Sequence, residues 1–308
     1  MPAVKTPRKT EKTFIEVNDQ RLHVAITRGD GNGRPLLICN GIGANLEVTR
    51  PFVDALDDIE TIAFDVPGAG QSPTPMMPLR FSGHACLAAG MLDALGYDQV
   101  DVVGVSWGGG LAQQFAHDFP DRCRRLVLAA TSAGFVMVPG HFSVLMKMAT
   151  PNRYFDPSYM AKIAPAIYGG IFRTNAELIH EHTEHMKAGS RLGYYWQMFS
   201  TLGWTSFHWL HRLHQPTLIL VGDDDPIVRP INGSILACRI PDARVRSLDC
   251  GHLFLVTKPG ETAALVKEFL NTEDLKTYDR LTESGAYDPT INRSLDIKKT
   301  ERSIDIFI

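Results

Sequence analysis

A serine set between glycines, Gly104-Val105-Ser106-Trp107-Gly108, is the first residue in this chain whose neighbours could give it chemistry. An apolar, strand-like run over 99–105 leads into it and a helix-like run over 111–117 leads away. In that setting Gly-x-Ser-x-Gly reads as a nucleophile elbow, in which the serine turns sharply out of a strand end and exposes its hydroxyl. Gly104 and Gly108 carry no Cβ, so strand and helix can approach each other there. The chemistry this names is nucleophilic acyl transfer through Ser106.

A serine hydroxyl is a weak nucleophile until a base takes its proton, and the base needs a third group to fix its tautomer. For a serine on a strand–turn–helix, those partners follow in the order acid, then histidine. Two segments downstream supply them: Gly222-Asp223-Asp224-Asp225-Pro226 after the apolar run 216–221, and Asp249-Cys250-Gly251-His252 after the run 245–248. Among 11 histidines, His252 is assigned as the base, because it sits in a strand-to-helix loop with Leu253-Phe254-Leu255 to pack behind it. Asp225 is assigned as the acid, since the proline after it biases it to an extended conformation. Asp223 and Asp224 are read as turn residues, solvated or hydrogen-bonded within the loop. A tetrahedral intermediate also needs backbone N–H donors at its oxyanion. Trp107, the residue after the serine, supplies one, and Ile42 in Asn40-Gly41-Ile42-Gly43 supplies the other.

These residues require a scaffold that delivers them to one edge. Two alternating runs, Thr13–Val17 and Arg21–Thr27, form a hairpin around Asn18-Asp19-Gln20, so the sheet opens antiparallel. Strand patterns over 35–39, 61–65, 100–105 and 125–130 then alternate with helical patterns over 47–56, 81–95 and 111–119. The alternation resumes with a strand at 216–221, a helix at 231–238, a strand at 245–248 and a helix at 261–269. Such an order implies an α/β fold: a mostly parallel, twisted sheet with helices on both faces. If the late strands are parallel, Ser106, Asp225 and His252 all leave the same edge of the sheet.

Between the two blocks of alternation no strand is legible, and the composition shifts toward Met, His and aromatics. The expected organisation is a core of residues 13–134 and 215–272, a helical cap inserted over 135–214, and a polar C-terminal tail, 273–308, of unassigned role. Tyr194, Tyr195, Trp196, Phe199, Trp204, Phe207 and Trp209 crowd together in the cap. Some make the cap's own core; Tyr195, Trp196, Trp204 and Phe207 are assigned to an apolar, substrate-binding channel above Ser106. Met137, Met146, Met148, Met160, Met186 and Met198 would give it adaptable walls. The expected substrate is greasy.

Composition sets outer bounds. With 31 basic and 34 acidic residues in 308, the net charge of −3 carries no basic stripe for nucleic acid and no excess that implies an ionic polymer as substrate. No apolar run reaches the length of a spanning helix, and the basic N-terminus lacks the apolar stretch of a signal peptide. The 5 cysteines are scattered without a Cys-x-x-Cys pair, which favours reduced thiols and a cytoplasmic location. The run His180-Glu181-His182-Thr183-Glu184-His185 does not fit His-Glu-x-x-His and is read as a solvated helix face, as are His208, His211 and His214. Gly68-Ala69-Gly70 is not a dinucleotide fingerprint. No metal and no organic cofactor is expected.

Several segments together resemble the intracellular depolymerases of medium-chain-length polyhydroxyalkanoates, a family with the α/β-hydrolase fold. They are Gly41–Asn45, Asp65-Val66-Pro67-Gly68, the serine elbow, Leu111–Asp118, Gly193-Tyr194-Tyr195-Trp196-Gln197, Gly203-Trp204-Thr205-Ser206, the 222–226 turn and Gly251–Leu255. The likeness runs from about residue 13 to 270 and includes the cap. It implies hydrolysis of water-insoluble polyesters of 3-hydroxy fatty acids held in cytoplasmic granules, with Ser106 as nucleophile, Asp225 as acid and His252 as base. Fold and triad do not fix the acyl group, so an esterase, thioesterase or 3-hydroxyacyl transferase for a soluble medium-chain substrate is the alternative. A non-catalytic granule-associated protein is a third reading. Dehalogenase or epoxide hydrolase chemistry on this scaffold would need an aspartate in place of Ser106.

Overall fold

A computed structural model describes residues 8–30, 33–185 and 189–272, with the backbone alone at 184 and 185. The tail 273–308 and Met186 lie outside the described residues. Strands β1 (Thr10–Val17) and β2 (Gln20–Thr27) pair antiparallel. The turn between them is the two residues Asn18 and Asp19, with φ of 47° and 61°. Two consecutive left-handed residues match the twist of a tight hairpin, so Gln20 joins the strand where the sequence pattern had placed it in the turn.

β2 pairs antiparallel with β4 (Thr61–Phe64); from there β4, β3 (Leu36–Cys39), β5 (Val100–Val105), β6 (Cys123–Ala129), β7 (Thr217–Gly222) and β8 (Ala243–Leu248) run parallel. The spatial order is β1-β2-β4-β3-β5-β6-β7-β8. The period-two alternation of strand side chains divides the buried residues into two cores. Leu37, Val102, Leu128 and Ile219 point into one, with α2 (Phe81–Leu95), α3 (Trp107–Asp118) and α9 (Ile231–Arg239). Leu36, Val103, Val127 and Leu218 point into the other, with α1 (Arg50–Ala55), α10 (Phe254–Thr257) and α11 (Pro259–Asn271). Burial on both faces explains why inner strands such as β3 and β7 read as continuous apolar runs rather than alternating ones.

Between β6 and β7 the described chain forms helices α4 (Phe142–Met148), α5 (Asn152–Phe155), α6 (Pro157–Tyr168), α7 (Ala176–His185) and α8 (Arg191–Thr201). They hold a small core of their own around Met160, Ile163, Ile167 and Phe172. Asp156 caps α6 by accepting from the Tyr159 N–H, and Ser190 caps α8 by accepting from the Gly193 N–H. Each such cap is worth about 1 kcal/mol. α8 docks on the loop after β4 through Gly68 and Gly193, where a Cβ on Gly68 would lie 2.5 Å from the Gly193 Cα. The glycines therefore serve backbone-to-backbone contact. No helix among the described residues is long and apolar enough to cross a membrane.

Candidate active site

Ser106 stands between β5 and α3 with φ 55° and ψ −118°, a strained conformation for a residue with a Cβ. Its N–H donates to the Ala129 carbonyl at 2.9 Å, and its own carbonyl accepts from the Thr131 hydroxyl at 2.7 Å and the Gly109 N–H at 2.9 Å. The flanking glycines make the turn sterically possible: a Cβ on Gly104 would fall 2.4 Å from the Gly108 carbonyl oxygen, and one on Gly108 would fall 2.1 Å from that of Cys39. α3 begins at Trp107, four residues earlier than its apolar run suggests, because helix and elbow are continuous.

Asp225 follows β7 and His252 follows β8, and both are buried. The His252 Nδ1–H donates to Asp225 Oδ2 at 2.7 Å, which leaves Nε2 as the acceptor. Asp225 Oδ1 accepts from the Ile227 and Val228 N–H groups, each at 2.9 Å. Pro226, which has no N–H, lets the carboxylate reach past it to these two donors. The insertion steadies His252, whose backbone N–H donates to the Tyr168 carbonyl at the end of α6, at 2.7 Å. Ser106 and His252 line one chamber. The Ser106 hydroxyl makes no hydrogen bond among the described residues.

Ile42 and Trp107 both border Ser106. As the first residue of α3, Trp107 has an N–H with no carbonyl one turn back to receive it. The Ile42 carbonyl accepts from the Tyr154 hydroxyl at 2.5 Å, and the neighbouring Gly43 N–H donates to Gln197 Oε1 at 2.8 Å. The Gln197 carbonyl in turn accepts from Trp107 Nε1 at 2.8 Å. One residue of α8 thus ties together the two loops that would carry the oxyanion donors.

Two spaces meet at the serine. A chamber of about 50 Å³ is lined by Ser106, His252, Arg153, Tyr154, Tyr168 and His182, among others. A cavity of about 530 Å³ with mostly apolar walls includes Ser106, Trp107, Met137, Met148, Met198 and Trp204. Of the four aromatic residues expected at the substrate, Trp204 lines this cavity, its ring 4.6 Å from that of Phe81 and its Nε1 donating to Gln114 at 2.8 Å. The other three lie elsewhere. Tyr195 is 45% exposed. Trp196 donates to the Pro75 carbonyl at 3.2 Å, and Phe207 packs on the core under the Arg239 guanidinium. Helical spacing explains the difference: Tyr194, Met198 and Thr201 share one face of α8 and border the cavity, while positions 195 and 196 turn away. That face was readable as an i, i+4, i+7 set. Of the other methionines, Met160 is buried in the insertion's own core and Met146 is exposed.

Two polar residues also depart from expectation. Asp224 is exposed, as a turn residue should be, but its bonds reach outside its own loop: it accepts two from Arg173, at 2.7 and 2.8 Å, and one from the Gly170 N–H at 2.7 Å, latching the insertion to the β7 loop. The Arg173 guanidinium holds its carboxyl below the usual aspartate range. His182 is buried, its ring edge-on to Tyr168 and Phe172, rather than part of a solvated face. His208, His211 and His214 are exposed.

Residues 34–259 match the family model described as alpha/beta hydrolase fold. The chain is 56% identical over 260 residues to the poly(3-hydroxyalkanoate) depolymerase of Ectopseudomonas oleovorans, covering 84% of this chain and 92% of that protein. It is 24% identical over 261 residues to 3-oxoadipate enol-lactonase 2 of Acinetobacter baylyi, covering 80% and 92%. Among solved structures, an enol-lactonase from Burkholderia xenovorans superposes with a TM-score of 0.73 at 22% identity, covering 84% of this chain and 100% of that one. That likeness speaks for the fold alone.

Proposed function

The chain belongs to the α/β-hydrolase family and is a relative of a poly(3-hydroxyalkanoate) depolymerase, and on that premise we propose that it hydrolyses medium-chain-length poly(3-hydroxyalkanoate) through Ser106, His252 and Asp225. Ser106 Oγ attacks the ester carbonyl carbon while His252 Nε2 takes its proton, and Asp225 holds the imidazole in the required tautomer. The Ile42 and Trp107 N–H groups receive the developing oxyanion. His252 passes the proton to the leaving alkoxide, and water activated by the same ring then releases the acid from Ser106. Each step is met by side chains and backbone of this chain, so the mechanism calls for no metal or organic cofactor.

The observation that carries the substrate class is the apolar cavity of about 530 Å³ opening on Ser106. Burying alkyl side chains there gains about 0.8 kcal/mol per methylene. Phe135 and Leu202 line it and are also exposed, at 78% and 62%, so its mouth carries an apolar rim suited to an insoluble surface. The insertion, 135–214, acts as a lid, and the protein works in the cytoplasm at the granule surface.

The test is hydrolysis of p-nitrophenyl esters from acetyl to dodecanoyl, beside emulsified medium-chain polymer, with Ser106→Ala as control. Ser106-dependent clearing of the polymer with an optimum near octanoyl is expected. Cleavage of soluble esters with the polymer untouched would move the function to a small-molecule esterase. Trp204→Ala should slow octanoyl ester cleavage by roughly tenfold and acetyl ester cleavage far less, since removing its indole takes apolar wall from the alkyl cavity. Equal losses would make the ring purely structural.

A further inference from the structure

The small chamber contains a feature that ester hydrolysis alone does not use. Arg153, on α5, is only 2% exposed, yet it pairs with no carboxylate among the described residues. Its hydrogen bonds go to neutral groups: Nη1 to the Tyr194 hydroxyl at 2.9 Å and to Met148 Sδ at 3.0 Å, and Nη2 to the Ile42 carbonyl and the Tyr154 hydroxyl, each at 3.4 Å. The rings of Tyr154 and Tyr194 lie 4.6 and 5.3 Å from its guanidinium carbon. Its Nε is buried without a hydrogen-bond partner among the described residues. A guanidinium taken out of water costs several kcal/mol unless an anion completes its shell. No carboxylate among the described residues supplies that anion, and Arg153 borders the same chamber as Ser106 and His252.

We infer that Arg153 is a carboxylate-binding residue that holds the free acid end of a 3-hydroxyacyl chain in the small chamber, so that the enzyme removes units from the carboxyl terminus. This rests on the polyester reading above. In such a chain the terminal carboxylate lies beyond the scissile carbonyl on the alcohol side, separated from it only by the ester oxygen, the branched carbon and one methylene. The chamber of about 50 Å³ suits that short arm. On the same measure one water needs about 10–15 Å³, so there is space for a methylene and a carboxylate but not for a medium alkyl chain. The alkyl groups then lie in the large cavity, which shares Ser106, Ile42 and Met148 with the chamber. The planar guanidinium fork matches a carboxylate in a way that an ammonium does not.

The reaction balances with one water. Ser106 Oγ bonds to the carbonyl carbon, the bond from that carbon to the ester oxygen breaks, and the proton taken by His252 passes to that oxygen. A 3-hydroxy acid leaves with its carboxylate on Arg153. Water then takes the acyl group from Ser106, and the shortened chain presents a new carboxylate.

The test measures binding of (R)-3-hydroxyoctanoate and of its methyl ester to the full-length Ser106→Ala protein by calorimetry. The acid should bind at least about tenfold more tightly than the ester, in keeping with a charge-assisted pair. In Ser106→Ala/Arg153→Met that ratio should fall to about twofold or less, with Arg153→Lys in between. A merely structural role for Arg153 would move both ligands together and leave the ratio alone. Equal affinities in Ser106→Ala, or a ratio that survives Arg153→Met, would overturn the assignment. The wild-type enzyme gives a second arm that needs no substitution at 153. The free-acid trimer of 3-hydroxyoctanoate should be cut at least about tenfold faster than its methyl ester, with the carboxyl-terminal unit appearing first; equal rates count against the site. Tight acid binding with the polymer untouched would remove the polyester reading and leave the carboxylate site standing.

Discussion

Two histidine–aspartate pairs, His252–Asp225 and His23–Asp65, are buried among the described residues, and of these His252 borders a cavity together with a serine. In the first, His252 Nδ1 meets Asp225 Oδ2 at 2.7 Å; in the second, His23 Nδ1 meets Asp65 Oδ2 at 2.8 Å. A serine accompanies each. The Ser72 hydroxyl donates to the Asp65 carbonyl at 2.6 Å and accepts from the His23 N–H at 2.9 Å, so it is consumed. Asp65 also accepts from the N–H groups of Leu46 and Gln71, at 2.7 and 2.9 Å, and the His23 ring packs 5.1 Å from Phe14. That pair therefore ties the loops after β3 and β4 to the hairpin. The Ser106 hydroxyl, by contrast, is bonded to nothing among the described residues and borders both cavities. The comparison teaches that a histidine–aspartate distance does not distinguish machinery from scaffold; an uncommitted hydroxyl at an open space does.

Paired substitutions can break this contrast. Ser106→Ala should lower kcat on octanoyl esters by about 10⁴-fold or more, while Ser72→Ala should leave it within about threefold and lower stability by about 1–2 kcal/mol in urea unfolding. A large rate loss at Ser72 would erase the distinction. Asp225→Asn should cost about 10⁴-fold in kcat by permitting the wrong imidazole tautomer. Asp65→Asn should instead destabilise by about 1–3 kcal/mol, because it weakens buried hydrogen bonds, with turnover of the folded fraction preserved. Comparable kinetic damage from both would merge the two pairs into one functional unit.

A third buried histidine sharpens the point from the other side. His84 packs edge-on to Trp107, with ring centroids 5.2 Å apart, and has no carboxylate partner among the described residues. Burial pushes its pKa down from 6.5 to about 4. As pH falls from 6.5 toward 4 the unfolded chain takes up this proton before the folded one, so stability present above pH 6.5 is lost across that window. The expected loss is about 3 kcal/mol by pH 4. His84→Phe should lack that share of the acid sensitivity in urea midpoints measured at pH 7 and pH 4. An unchanged pH slope would show that the ring titrates normally.

Much of the scaffold was legible because its signals are local. Short apolar runs closed by breakers mark the parallel strands, and the glycines of the elbow announce a close approach that no other residue permits. Tyr195, Trp196 and Phe207 were selected by residue type. For Tyr195 and Trp196, which face of α8 meets the cavity depends on how that helix docks through Gly68 and Gly193; Phe207 lies beyond α8 and packs on the core under Arg239. Arg153 carried no local signal at all. A guanidinium within Asn152-Arg153-Tyr154-Phe155 reads as surface until neighbours distant in sequence, Ile42 and Tyr194, enclose it.

The sequence by itself determined the order of strands and helices, the elbow, and the identity of Ser106, Asp225 and His252 as candidates, since each is written in spacing within a few residues. Tertiary structure alone decided that Asp224 latches the insertion through Arg173, that Gln197 joins Gly43 to Trp107, and that the serine stands between a large apolar cavity and a small cationic chamber. Those outcomes depend on contacts between segments some fifty to more than a hundred and fifty positions apart. Burial and pairing at that range are properties of packing, and no window along the chain contains them.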